Sequence, residues 1–163
     1  LLFERLAPLE HKLGPILFQL PPRWQRDPER LAGLLRALPA GQRYAFEFRD
    51  PSWFVPQVYD VLREHGAALC VYDRSGEHSP LEVTADFVYL RMHAPAGGMA
   101  RPYNDRELAD WVNTIGNWLS QGLDVYVYFN NDPLGHAPRD AGRMAEMLVA
   151  EGLRLGLRHD SGR

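Results

Sequence analysis

The sequence has a single cysteine, Cys70, and a single lysine, Lys12. One thiol excludes an internal disulfide framework and any all-cysteine metal site, and it fits a reducing compartment. The other basic side chains are almost all arginine, which reads as codon bias from a GC-rich genome and not as chemistry. No apolar run approaches the roughly 20 residues of a membrane helix, and no N-terminal stretch reads as a signal peptide. The expectation is a cytoplasmic protein without a membrane partner. A net charge of −3 and a pI near 6.1 argue against a general nucleic-acid coat or a polybasic membrane binder. What is present points to an ordinary folded chain. Its 163 residues are 45% hydrophobic, 24% charged and 11% aromatic, enough for one domain with a real core and too rich in core formers for a disordered or collagen-like chain. The chain opens at Leu1, without an initiator methionine and already in helical spacing, so it is expected to be a piece of something longer.

Five short apolar runs rich in β-branched and aromatic residues read as strands: Ile16–Leu20, Tyr44–Phe48, Ala68–Tyr72, Phe87–Met92 and Val125–Phe129. Helical patterns lie around them. One covers Leu1–Leu13, stopped by Gly14-Pro15. A second starts at the Asp27-Pro28 cap and runs to about Leu38. A third is expected to be capped by Ser52 and to end near Glu64, before His65-Gly66. The longest, Asp105–Gln121, places Leu108, Trp111, Val112, Ile115, Trp118 and Leu119 on one face. The last runs from about Arg139 to Glu151. Strict alternation of strand and helix implies parallel strands with right-handed crossovers. No internal repeat or linker interrupts residues 1–152, expected to form a single β/α domain, with Leu153–Arg163 as a frayed tail.

The strands are not uniformly apolar, as strands buried on both faces should be. Side chains alternate across a strand with period two. Glu47 and Arg49 therefore oppose Phe46 and Phe48, Arg91 and His93 oppose Leu90 and Met92, and Tyr128 and Asn130 oppose Val127 and Phe129. Gln19 likewise opposes Phe18 and Leu20. These four strands have one greasy face and one polar face, with the polar groups late in each strand. A barrel with a packed interior and a functional C-terminal mouth gives this pattern a meaning. An open doubly wound sheet would leave the polar face hard to satisfy.

Glu47-Phe48-Arg49 followed by Ser52-Trp53, and Tyr128-Phe129-Asn130-Asn131-Asp132 followed by Gly135, Ala137 and Ala141, resemble the YecE-like family, domain of unknown function 72. Leu13–Leu17 with Gln19-Leu20-Pro21-Pro22, and Tyr89–His93 ahead of Tyr103, match in the same order. The resemblance covers Leu9 to about Leu148. It implies a TIM-type (β/α) barrel, here about five C-terminal β/α units of the usual eight, and no established reaction. The family's first three strands have no counterpart here. Asp50 stands where a histidine usually follows Glu-Phe-Arg, Asp140 where an asparagine is frequent, and Ala94 where a glycine often follows the histidine.

Each candidate group has a structural and a functional reading. Glu47 and Arg49 form either a core ion pair, or a proton-transfer carboxylate beside a guanidinium fork that holds an anion. Arg91 and His93 repeat the arrangement. Asp73, expected just past its strand, would balance their charge or orient His93. Asn130, Asn131 and Asp132 read either as turn chemistry or as pocket groups, Asn130 foremost because it shares a face with Tyr128. Glu47, Asp73, His93, Asp132 and His136 include metal-ligand types, but nothing like an H-E-x-x-H spacing supports a divalent metal, so no cofactor is expected. Gly97-Gly98 lies outside any phosphate-loop pattern. Cys70 is expected on the helix-facing side, as packing, and Trp24 at a pocket rim.

The sequence thus predicts one concave site at a barrel mouth. Glu47 and His93 are its catalytic candidates, and Gln19, Arg49, Asp73, Arg91, Tyr128, Asn130 and Asp132 its ligand-binding candidates. The expected partner is a small phosphate- or carboxylate-bearing molecule. The expected function is a hydrolase or isomerase, or alternatively a non-catalytic binder using the same mouth. Fold analogy cannot name the substrate. With five strands of eight, Ile16–Leu20 and Val125–Phe129 are expected to be open edges available for association.

Overall fold

The computed structural model describes residues 2–99 and 101–153. Strands β1 (Ile16–Gln19), β2 (Tyr44–Glu47), β3 (Ala68–Arg74), β4 (Glu77–His78), β5 (Phe87–Ala94) and β6 (Asp124–Phe129) are interspersed with helices α1 (Leu2–Leu6), α2 (Pro28–Ala37), α3 (Pro56–Glu64), α4 (Asp105–Ser120) and α5 (His136–Ala150). The expected strict alternation fails between β3 and β5, where the β4 hairpin stands in place of a helix. The fold class is α/β. The strands run in the order β1-β2-β3-β5-β6, with β4 paired to β3 off this path, and the path does not close among the described residues. β1 pairs with β2 and β2 with β3 in parallel, each pair spanned by a helical crossover, as parallel neighbours require. By its contacts the chain divides into two compact units, Leu1–Cys70 with Leu81–Tyr89, and Val71–Pro80 with Leu90–Arg163.

In the first unit, Asp27 caps α2 by accepting the Arg30 N–H at 2.9 Å, and Pro28 occupies the first turn, where its missing N–H costs nothing. Leu31 and Leu35 of α2, four apart, and Val58 and Leu62 of α3 are buried on the greasy face of β1 and β2. That face is a ladder of rings. Phe18 stacks on Phe46 at 5.3 Å, Phe46 on Phe48 at 6.3 Å, and Phe48 on Trp53 at 4.4 Å with planes 2° apart. Thr84 ties the 81–89 segment to the start of β3, accepting from Leu69 N–H and donating to the Ala67 carbonyl, both at 2.7 Å.

In the second unit, α4 opens on a capping box between Asn104 and Glu107. Leu108, Val112 and Ile115 of α4 and Met144 and Leu148 of α5 are buried, as are Leu90 and Met92 of β5. Helices α4 and α5 pack on each other and on β6. β6 is only half-buried, less enclosed than its apolar composition predicts.

Several boundaries differ from expectation, each for a local reason. The first helix is α-helical only to Leu6 and continues as a 3-10 helix over Ala7–Lys12, because Pro8 removes a donor and clashes with the preceding turn. Ser52 does not cap α3. It lies inside a 3-10 turn, Pro51–Trp53, capped by Asp50, and α3 begins only at Pro56. Val55, before that proline, is pushed to extended backbone (φ −136°, ψ 150°). α5 starts at His136, three residues early, after Gly135 takes a left-handed φ of 70°. β4 was not anticipated. It arises because Ser75 and Gly76 both take positive φ (56° and 88°) and fold β3 back in a two-residue hairpin. Most of the expected tail, from position 154 on, lies outside the described residues, as does Leu1.

Candidate functional site

The polar face of the first unit follows from strand register. Gln19 lies opposite Glu47 across β1 and β2. Ala45 lies opposite Ala68 and Phe46 opposite Leu69, so the next step sets Cys70 beside Glu47. The Cys70 S–H donates to Glu47 Oε2 at 3.8 Å. Cys70 is therefore on the polar face and not on the helix-facing side expected of it, because its register follows Glu47 and not its apolar character. Glu47 is fully buried, and its carboxylate forms an ion pair with the Arg49 guanidinium, whose side chain is 10% exposed. A buried carboxylate is tolerable only with such pairing. Gln19 keeps an exposed side chain at the strand end. Past Arg49, Asp50 accepts the Ser52 N–H at 3.0 Å, and the Ser52 hydroxyl and amide hold its carboxyl below the usual range.

The second unit has its own polar face. Arg91 Nε donates to Asn130 Oδ1 at 3.0 Å, and the Asn130 N–H donates to the Met92 carbonyl at 2.8 Å, so both ends of Asn130 are fixed against β5. The His93 ring meets Tyr72 edge-on at 6.4 Å. Tyr128, two residues before Asn130, is exposed. Arg91, His93 and Asn130 are thus together on the face that period-two alternation assigns them.

Asp73 and Asp132 are placed elsewhere. β3 runs on to Arg74, so Asp73 is inside the strand, adjacent to Tyr72 and pointing to the opposite side. It accepts from Trp111 Nε1 of α4 at 3.2 Å, and His78 Nε2 of β4 lies 3.3 Å from its other oxygen. Burial raises the Asp73 pKa, against the lowering effects of His78, Trp111, Tyr103 and the Gly76 N–H. Burial, with Asp73 next to it, pushes the Tyr103 phenol well above its ordinary range. Instead of attending His93, Asp73 anchors the β3–β4 hairpin to α4. Asp132 is exposed at the head of a short 3-10 turn, because β6 ends at Phe129.

Asn131 and Asp140 were not singled out as a pair, and the structure joins them. Asn131 Nδ2 donates to Asp140 Oδ2 at 2.8 Å, the Tyr103 N–H donates to the same oxygen at 2.9 Å, and Arg143 pairs with Asp140 Oδ1 at 2.9 Å. All of this is turn and helix anchoring. The spacing from Asn131 to the first turns of a following helix was the available signal. Among the described residues, no group of three or more His, Cys, Asp or Glu is placed to hold a metal ion, and no helix is long and apolar enough to cross a membrane.

A family model described as protein of unknown function DUF72 matches residues 1–161. The chain belongs to this family. It is 30% identical to the UPF0759 protein YunF of Bacillus subtilis (strain 168), over 90% of this chain and 62% of that protein. Its fold is similar to the crystal structure of a DUF72 family protein from Thermotoga maritima, with TM-score 0.81, 27% identity, and coverage of 91% of this chain and 63% of that one. A second DUF72 structure, from Enterococcus faecalis V583, gives TM-score 0.76 at 27% identity, covering 90% and 66%. The chain thus spans a little under two thirds of the length of these relatives. The YecE-like resemblance names the same family.

Proposed function

We propose that this DUF72 chain binds a small anionic ligand, phosphate- or carboxylate-bearing, at the C-terminal ends of its strands, and that its open strand path is part of a TIM-type barrel. Each unit supports the reading on its own terms. The observation that carries it is in the second unit, where Asn130 fixes Arg91 by Nε on the face that also bears His93. A guanidinium held in one plane is pre-organised for the fork geometry of phosphate and carboxylate. In the first unit, Glu47 beside Arg49 supplies a carboxylate of the type used for proton transfer, which would make the protein a hydrolase or isomerase. A second reading, a binder without catalysis, is favoured by one specific fact. Glu47 is fully buried and already engaged by Arg49 and Cys70, the environment of a structural ion pair.

Melting in phosphate or sulfate tests the proposal. At about a hundred times Kd a ligand stabilises a fold by about 2.7 kcal/mol, and that gain is expected to vanish in Arg91→Ala. Equal anion-induced gains in the native chain and the variant would remove Arg91 from the reading. Turnover of a screened metabolite that binds would favour the enzyme, and saturable binding without turnover the binder.

A further inference from the structure

The loop between β1 and α2 displays an indole in an unusual way. Trp24 is 40% exposed, yet the backbone around it is held by hydrogen bonds to the Ser52-Trp53 turn. Trp53 Nε1 donates to the Trp24 carbonyl at 2.6 Å. Ser52 Oγ accepts the Arg26 N–H at 2.9 Å, and the Ser52 carbonyl accepts from Arg26 Nη1 at 3.4 Å. Arg23 takes a left-handed φ of 65°, a conformation that costs strain in a residue with a side chain and persists only where its surroundings impose it. The Arg30 guanidinium lies 5.0 Å from the Trp24 ring centroid, within the range of a cation–π contact. Hydrophobic burial alone does not account for this, since the residue stays 40% exposed.

The anchors lead back to the polar strand end. Trp53 stacks on Phe48, which lies between Glu47 and Arg49, and Ser52 is held by Asp50, the residue after Arg49. Leu20, where the Trp24 loop begins, donates its N–H to the Glu47 carbonyl at 2.9 Å. β1 and β2 are parallel, so the Trp24 loop and the Arg49–Trp53 turn leave the sheet at the same edge, the carboxyl end where open and closed parallel sheets bind ligands. Arg30 lies against the indole, Arg23 and Arg26 are exposed on the same loop, and Asp27 is turned to the α2 N-terminus.

We propose that Trp24 is a stacking platform for the planar ring of a phosphate-bearing ligand of nucleotide type, and that Ser52 and Trp53 are the positioning residues that hold it at the edge shared with Glu47 and Arg49. A rigid aromatic with nearby guanidinium groups is the arrangement that takes a base by its π-face and its phosphate by charge. The inference rests on the anion-binding reading and narrows it, since an anion without a planar ring gains nothing from Trp24. It also gives the Ser52-Trp53 pair a role that helix capping does not.

The experiment titrates the full chain with AMP, ribose 5-phosphate and inorganic phosphate, reading indole fluorescence and the melting shift. The expected result is AMP binding about tenfold more tightly than ribose 5-phosphate, within the range base stacking supplies. That preference should be lost in Trp24→Ala, largely kept in Trp24→Phe, weakened in Ser52→Ala and restored in Ser52→Thr. Inorganic phosphate binding should be the same in all four variants. A short single-stranded oligonucleotide that binds more tightly than AMP, with the same dependence on Trp24, would support the platform and identify a strand as the source of the bases. Phosphate binding with no preference for AMP, or a preference unchanged in Trp24→Ala, would overturn the platform and leave the anion reading standing. Failure of every phosphate-bearing probe to bind would overturn both.

Discussion

Two strand carboxylates, one in each compact unit, are removed from water in opposite ways. Glu47 meets a guanidinium and a thiol donor, Arg49 and Cys70. Among the described residues, Asp73 meets no guanidinium in an ion pair of its own: His78 is the basic group paired with it, and the Trp111 indole, the Tyr103 phenol and the Gly76 amide are its neutral donors, with the Arg101 charge acting from farther off. Period-two alternation treats both as polar residues of similar strands. The physics separates them. A guanidinium compensates a buried charge directly, whereas His78 and the neutral donors leave enough of the desolvation cost at Asp73 that its pKa is raised. Burial alone therefore does not mark an acid–base group. The charge of the partner decides what burial does.

The largest expected effect comes from breaking the first arrangement. Arg49→Leu leaves Glu47 buried beside an apolar side chain, and loss of one partner of a buried ion pair costs about 3–5 kcal/mol. Urea unfolding of the full chain should show that loss, and the double variant Arg49→Leu with Glu47→Gln should recover most of it, because no charge is then left uncompensated. A loss below 1 kcal/mol in the single variant would mean that Glu47 relies on other contacts.

How much of this was legible follows from particular residues. The strands and their polar faces were readable because Phe46 and Phe48 alternate with Glu47 and Arg49, and Leu90 and Met92 with Arg91 and His93, a local signal with a fixed geometric meaning. Pairing was not readable. That Cys70 faces Glu47 depends on the offset between β2 and β3, which no residue of either strand announces. That Asp73 meets Trp111 depends on a packing contact 38 residues away. The β4 hairpin did leave a signal, Ser75-Gly76, whose permissive backbone sets up the His78 contact. Proline's effects at Pro8 and Pro56 were also visible in the sequence, yet helical spacing across them was the stronger pattern.

The second arrangement breaks more gently. Trp111→Phe keeps an aromatic ring in the core, though a smaller one, and removes the Nε1 donor to Asp73; an unsatisfied buried acceptor costs about 1–3 kcal/mol. Chemical denaturation at neutral pH would measure it, and the cost should shrink at low pH, where a protonated Asp73 needs that donor less. An equal cost at both pH values would show that the indole contributes packing and not a hydrogen bond.

The pH dependence of stability tests how the Asp73 carboxyl is compensated. The folded-state pKa of Asp73 is raised, so its protonated form favours folding. The stability associated with Asp73 is therefore full below the ordinary carboxyl value and is lost as pH rises through the raised folded value. Asp73→Asn should flatten that part of the stability curve, since an amide does not titrate. An unchanged slope between acid and neutral pH in Asp73→Asn would show that His78 and the indole, phenol and amide donors compensate the charge fully.

Glu107 supplies the smallest effect and the control for both. It is a partly exposed carboxylate at the α4 capping box, paired with Arg101 Nη2 at 2.6 Å, and that hydrogen bond, before any other cause, holds its pKa low. The sign is opposite to that of Asp73. Its contribution is present above the ordinary carboxyl range and is lost as pH falls through the depressed folded value. Glu107→Gln keeps an oxygen for the Asn104 N–H, which Glu107 accepts at 2.9 Å, and removes the charge together with one of the two oxygens that accept from Arg101. Pairs this exposed are worth about 0.2–1 kcal/mol, so thermal melts at neutral pH should show a small loss that disappears in acid and weakens in high salt. A loss comparable to that of Arg49→Leu would mean that exposure, and not partner charge, is the wrong variable on which to rank these three carboxylates, because solvent would then have screened nothing at Glu107.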